Sequence, residues 1–241
     1  MKCIQKVICL LSVIFWAWSP VSADIYWESI VESKGKPQGM STNLPQILTG
    51  HMNKSRTVRY YLSEQGLRTE SSDSVMIMDF KTGTVYTLHP KNRTFMKAEP
   101  AADKGEEKKD APDVQIIPTE ETKEISGYSC RKYRVKYPQG EGEYWVSKDV
   151  GILDNYNKMR EKIKKAGGKY AGFGRMNAPG LTAGTEGFPI MTRTEMMGIS
   201  TTATVIKIEE KEADPGRYKV PDNYKAFDIR NIFNIKPVNP N

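Results

Sequence analysis

Four segments of the chain carry apolar or β-branched side chains at every second position, and this pattern constrains the fold more than any other feature. Side chains on a β-strand alternate between its two faces, so a period of two predicts strands with one buried face. The sets expected on the buried faces are Ile25, Trp27 and Val31; Val58, Tyr60 and Leu62; Tyr133, Val135 and Tyr137; and Thr204, Ile206 and Ile208.

A fifth segment, Val75–Met78, is apolar at all four positions, which predicts a strand that is covered on both faces. Turns at Lys81–Gly83 and Pro90–Asn92 join it to two further short strands, Val85–Leu88 and Thr94–Met96. Short strands joined by tight turns favour an antiparallel meander. The chain is therefore expected to be mainly β.

Two segments have the pattern of helices. Asn43 is a suitable N-cap for a short helix with Pro45 in its first turn, which would bury Leu44, Ile47 and Leu48. A second helix is expected to begin near Asp149 or Gly151 and to end at Gly167 and Gly168. Its apolar face would consist of Ile152, Tyr156, Met159 and Ile163, which are spaced by four, three and four positions.

The N-terminal residues have the organisation of a secretory signal peptide. Lys2 and Lys6 precede the apolar run Val7–Trp18, and Val21–Ala23 has the small-x-small spacing of a cleavage site. The run is about 12 residues, too short for the roughly 20 that span a bilayer. We therefore expect cleavage after Ala23 and a mature chain of residues 24–241 in the periplasm.

Cleavage would change the composition in two ways. Removing Lys2 and Lys6 lowers the formal charge from +7 to +5, and removing Cys3 and Cys9 leaves Cys130 alone. A single cysteine forms no internal disulfide, and we expect Cys130 to be a buried, small apolar side chain, the alternative being a free thiol.

Little in the sequence indicates catalysis. The chain has two histidines, His51 and His89, and contains neither Gly-x-Ser-x-Gly nor His-Glu-x-x-His. We predict no enzyme, no cofactor and no metal site of the usual kind. Met76 and Met78 would share a strand face, which leaves Cu(I) binding by thioethers as a minor alternative.

Two stretches are predicted to be polar loops. Residues 98–113 are rich in Ala, Pro, Lys, Glu and Asp and have little to bury, which is typical of a solvated insertion. Residues 166–187 contain many glycines and few large apolar residues. The second stretch lacks the spacing of a phosphate-binding P-loop. We therefore expect a single domain, residues 24–241, with two loops.

Several motifs, in order along the chain, resemble the domain-of-unknown-function family 4412. They are Arg59–Leu62, Gly66–Arg68, Val75–Phe80, Gly83–Leu88, Lys91–Phe95, Ile125–Tyr133, Tyr144–Lys148 and Tyr218–Tyr224. The resemblance implies a bacterial envelope protein with the fold of the lipoprotein carriers (LolA/LolB-like). In that fold a strongly curved antiparallel sheet, a half-barrel, is covered by one or two helices around an apolar hollow. The resemblance brings no catalytic residues with it.

Such a hollow would bind a lipid or another apolar ligand, and flexible methionine side chains suit ligands of irregular shape. The residues predicted to line it are Val58, Tyr60, Leu62, Met76, Met78, Tyr133, Val135, Ile152, Tyr156 and Met159. The alternative is a structural or interaction module of the envelope with a packed core and no ligand.

The expected partners follow from the compartment and the charge. A lipid or an acylated protein would be the cargo of a carrier. Arg131, Lys132, Arg134 and Lys136 would form a cationic strand face, suited to an anionic membrane surface or an acidic partner. The alternative for these residues is an ordinary solvated face. We expect no nucleic acid to bind outside the cytoplasm.

Overall fold

The computed structural model describes residues 23–35, 54–99, 115–137, 140–167, 184–196 and 198–227. The segments in which apolar residues recur at every second position form strands of a single sheet. The strands are β1 (Ala23–Gly35), β2 (Ser55–Leu62), β3 (Gly66–Glu70), β4 (Val75–Asp79), β5 (Val85–His89), β6 (Thr94–Ala98), β7 (Gln115–Ile125), β8 (Tyr128–Tyr137), β9 (Gly140–Ser147), β10 (Phe188–Met196), β11 (Ile199–Glu212) and β12 (Lys225–Ala226).

The strands lie in the order β12, β6, β5, β4, β3, β2, β1, β11, β10, β9, β8, β7. Neighbouring strands are antiparallel except for β12, which runs parallel to β6. The sheet is large, curved and open, because β7 and β12 do not pair with each other in the described part of the chain. The mainly β class and the meander from β2 to β6 are confirmed.

One face of the β1–β5 half carries a continuous apolar surface, here called the inner face. It consists of Ile25, Trp27, Val58, Tyr60, Leu62, Leu67, Met76, Met78 and Val85, all of which belong to one buried cluster. The register explains this surface, since Trp27 pairs with Tyr60 and Ile25 with Leu62. Residues that pair directly across antiparallel strands have their side chains on the same face.

The helix α1 (Leu153–Gly167) packs against the inner face. Ile152, just before the helix, and Tyr156 and Met159 within it are buried in the same cluster, as the helical spacing predicts. The helix begins a little later than the sequence suggests. Ile163 and the helix predicted at Asn43–Leu48 lie outside the described side chains, as do most of the two predicted loops.

The opposite face of β3–β5 is covered by the C-terminal part of the chain. A 3₁₀ turn, Pro215–Tyr218, brings Tyr218 against Val75, Ile77 and Leu88. All of Val75–Met78 is buried, with Met76 and Met78 on the inner face and Val75 and Ile77 on the other. The prediction of a strand covered on both faces is confirmed.

Two features of the alternation differ from the prediction. The pairing of β11 with β1 shifts at a bulge near Ile206, so Val205 is buried and Ile206 is 49% exposed. The predicted buried set Thr204, Ile206 and Ile208 is therefore wrong at Ile206, whereas Ile208 is partly buried against the core cluster. Lys132, expected on a solvated face, is 9% exposed because its ammonium group pairs with Glu143 at 2.9 Å and Glu121 at 3.1 Å.

The turn between β4 and β5 depends on Gly83, which has a φ of 75°. We expect Gly83→Ala to lower the free energy of unfolding by about 1–2 kcal/mol, because an L residue is strained in the left-handed region. Gly151→Ala is the control, since its added Cβ would meet nothing within 4 Å. Urea denaturation checks both variants, and equal stability of the two would contradict the role of Gly83.

In the part of the chain that the structure describes, no helix is long and apolar enough to cross a membrane.

Candidate functional site

Four aromatic rings, each in contact with the next, join α1 to the sheet. Tyr60 stacks on Trp27 with ring centroids 4.7 Å apart, and Trp27 meets the edge of Phe188 at 5.6 Å. Phe188 in turn meets Tyr156 of the helix at 4.7 Å, edge to face. Edge-to-face and offset arrangements are the favourable geometries for aromatic pairs. The rings fill the space between helix and sheet at this point.

Eight of the ten predicted ligand-lining residues lie together around these rings. They are Val58, Tyr60, Leu62, Met76, Met78, Ile152, Tyr156 and Met159. Tyr133 and Val135 lie instead in a separate buried cluster with Tyr144 and Val146. The candidate site is therefore the inner face with the N-terminal half of α1, without Tyr133 and Val135.

Sequence reasoning missed two central members of the site, Trp27 as a ring partner of Tyr60 and Phe188. The alternation predicts Trp27 on the buried face of its strand, but its partner follows only from the β1–β2 register. Phe188 is completely buried at the start of β10. Two local signals mark it, its position directly after a Gly-rich stretch and the period of two that it shares with Ile190, which is also buried.

The ionisable groups in and beside the site include two phenols and two guanidinium groups, those of Arg56 and Arg160. Burial raises the pKa of Tyr60 to about 12, and the positive charge of Arg56 acts in the opposite direction. Burial also raises the pKa of Tyr156 above its usual range. Both hydroxyls are therefore neutral at physiological pH. An apolar site with neutral phenols can hold a hydrocarbon, and positive charges lie near it at Arg56 and, on α1, at Arg160, which donates a hydrogen bond to the carbonyl of Thr185.

Cys130 is 1% exposed, so the prediction of a buried thiol is confirmed. Burial raises its pKa to about 11, which keeps it protonated. No group of three or more His, Cys, Asp or Glu side chains in the described ranges could hold a metal ion. Met76 and Met78 do share a face, as the Cu(I) alternative requires, and both are buried in the core.

Two surface grooves lie away from this site, near one end of strands β8–β11. The larger, of about 690 Å³, is lined in part by Lys34, Tyr137 and Met196. The other, of about 380 Å³, is lined by Lys132, Arg134, Lys136, Arg193, Glu141, Glu143 and Glu195, among others. The face with Lys132, Arg134 and Lys136 therefore carries both signs of charge.

The fold and the site define a mainly β protein with a large, open, curved antiparallel sheet and, in the described residues, one helix. Residues 45–224 match the family described as "Domain of unknown function (DUF4412)", and the chain belongs to that family. No curated protein matches the chain significantly.

Two solved structures have a distant similarity to the chain. One, "Structure of PNGF-II in C2 space group", has 10% sequence identity and a TM-score of 0.42, over 88% of this chain and 32% of that one. The other, "Structure of PNGF-II in P21 space group", has 11% identity and a TM-score of 0.42, over 86% and 31%. The chain thus spans about a third of those proteins.

Proposed function

We propose that this protein is an exported bacterial envelope protein, not an enzyme, that binds an acyl chain between the inner face and α1. The observation that carries the proposal is the continuous apolar inner face across β1–β5, which includes Met76 and Met78. Thioether side chains repack around chains of different shape at small cost. A face of this kind suits a ligand recognised by apolar contact.

The energetics of such binding suit a carrier. Burying each CH₂ group contributes about 0.8 kcal/mol, and the loss of translational and rotational freedom offsets much of the total. The helix contacts the cluster through Ile152, Tyr156 and Met159, among described residues. Displacing α1 would open the inner face, so α1 is the proposed lid.

Export is supported by the leader pattern, in which Lys2 and Lys6 precede Val7–Trp18. The LolA/LolB-like half-barrel remains the fold expected from the family resemblance, and it would make an acylated protein or a free lipid the cargo. Transfer at an anionic membrane surface would use the groove that contains Arg134 and Lys136. The periplasm is the proposed location.

A second candidate is an interaction module of the envelope with no ligand. The observation that favours it is the contact series Tyr60–Trp27–Phe188–Tyr156, which fills the interior beneath α1. In such a module the sheet and helix form a rigid support, and function would lie on the surface.

We expect purified residues 24–241 to copurify with lipid, detected by native mass spectrometry, and to bind a fluorescent fatty acid. Met78→Ala should weaken that binding by about tenfold, since it removes apolar contact worth roughly two CH₂ groups. Ile77→Ala is a matched control, because Ile77 is its neighbour on β4 and belongs to the cluster on the opposite face.

Comparing the two variants separates an effect on ligand binding from an effect on stability, because each variant truncates a buried side chain of β4. Both should lower the free energy of unfolding by about 2–5 kcal/mol. Equal loss of ligand binding in the two would indicate that stability alone is responsible. A wild-type protein without bound lipid or affinity for the fatty acid would favour the interaction module.

A further inference from the structure

One charged side chain belongs to the same strand face as the apolar site. On β2, Arg56 lies two residues before Val58, which is followed at every second position by Tyr60 and Leu62. These three residues are buried, and Arg56 is half-buried. Arg56 pairs with Val31 of β1, which is itself a member of the apolar cluster. Its side chain therefore begins on the inner face.

One nitrogen of the Arg56 guanidinium lacks an acceptor, whereas several arginines of the described ranges pair through their guanidinium group with a carboxylate. Arg59 lies 3.7 Å from Glu28, Arg68 lies 2.7 Å from Glu70, and Arg193 lies 2.7 Å from Glu195. The Nε atom of Arg56 is buried and has no hydrogen-bond partner. A buried guanidinium nitrogen without an acceptor is costly, and an anion would remove that cost.

The position of Arg56 suits the polar end of a long ligand. β3 pairs with β2 only from Arg59 onward, so Arg56 lies beyond the β3 ladder, toward one end of the inner face. The seven residues from Arg56 to Leu62 span roughly 20 Å of strand. The apolar face begins next to it at Val58 and continues to Met76 and Met78.

We infer that Arg56 binds the acidic headgroup of the ligand, and that the ligand class is a long-chain carboxylate whose hydrocarbon lies along the inner face. The inference rests on the proposed function, since it names the chemistry of the same site. A guanidinium recognises a carboxylate through two parallel N–H···O hydrogen bonds, which are stronger than those between neutral groups. The positive charge of Arg56 also acts to lower the pKa of Tyr60, which lies four residues further along the same strand.

The test compares two probes of equal chain length, palmitate and hexadecanol, in displacement titrations at pH 8 on purified residues 24–241. We expect Arg56→Met to weaken palmitate binding by about tenfold or more and to leave hexadecanol binding unchanged. Arg56→Lys should retain part of the affinity for palmitate, because it keeps the charge and loses the bidentate geometry.

Arg59→Met is the matched control, because Arg59 lies on the same strand, is exposed, and pairs with Glu28. It should bind both probes as the wild type does. If Arg56→Met weakens both probes equally, Arg56 supports the structure and does not contact the headgroup. If it affects neither, the inference is wrong while the proposed function stands. Wild-type protein that binds neither probe would overturn both.

Discussion

Phe188→Ala is expected to destabilise the protein by about 3–5 kcal/mol, the range for removing a fully buried phenylalanine. Phe188 is 0% exposed and meets both Trp27 and Tyr156, so its loss breaks the contact series at the point where α1 joins the sheet. Urea denaturation followed by far-UV circular dichroism measures the change. The fluorescence of Trp27, measured in a Trp145→Phe background because residues 24–241 contain both tryptophans, reports the loss of its ring contact.

Phe227→Ala is the control for this variant, because Phe227 is 38% exposed. It should lower the free energy of unfolding by clearly less than Phe188→Ala does, because much of its ring is already exposed to solvent. A loss below about 1 kcal/mol in Phe188→Ala would show that the interior readily collapses around the gap. That result would contradict the rigid interior of the interaction module.

Arg217→Met is expected to cost about 3 kcal/mol at pH 7, because it leaves the carboxylate of Asp24 buried without its cationic partner. Asp24 is 0% exposed, and it accepts hydrogen bonds from Arg217 and from the Tyr218 hydroxyl, the latter at 3.0 Å. These bonds hold the C-terminal 3₁₀ turn against β1. The variant should therefore also weaken the packing of Tyr218 against Val75 and Ile77.

This loss should depend on pH in a defined direction. Burial raises the pKa of Asp24 above its usual value, although Tyr218 and Arg217 act to lower it. The folded protein thus holds this proton more tightly than the unfolded chain, and stability falls as pH rises through the raised pKa. Removing Arg217 raises that pKa further. The deficit of the variant should be small near pH 4 and larger at pH 7.

Unfolding at the two pH values, with Asp24→Asn added to the Arg217→Met variant, checks the cause. The second substitution removes the charge and should recover part of the stability at pH 7, because the remaining side chain is neutral. An equal deficit at pH 4 and pH 7, or no recovery in the double variant, would show that the charge of Asp24 is not responsible.

Local pattern predicted the parts of the fold that depend on neighbouring residues. The alternation at Val58–Leu62, the apolar run Val75–Met78 and the turn at Gly83 all became the expected elements. Helical spacing likewise predicted that Ile152, Tyr156 and Met159 share a buried face. These features follow from side-chain direction and backbone sterics within a few residues.

Both errors arise from strand pairing, which the local pattern of each strand does not contain. The bulge near Ile206 moves one residue out of the alternation of β11, and its position depends on the partner strand β1. Lys132 is buried because Glu121 and Glu143 lie on the strands to either side of it. Nothing near Lys132 in the sequence marks those carboxylates as its partners.

The sequence by itself predicted antiparallel strands and the amphipathic helix that begins near Ile152, and its motifs carried the family resemblance. Tertiary structure alone decided which apolar residues meet. A period of two separates the two faces of each strand, but only register and curvature decide which faces α1 covers. For that reason Tyr60 lies with Trp27 and Phe188 in the candidate site, whereas Tyr133 and Val135 lie in another cluster.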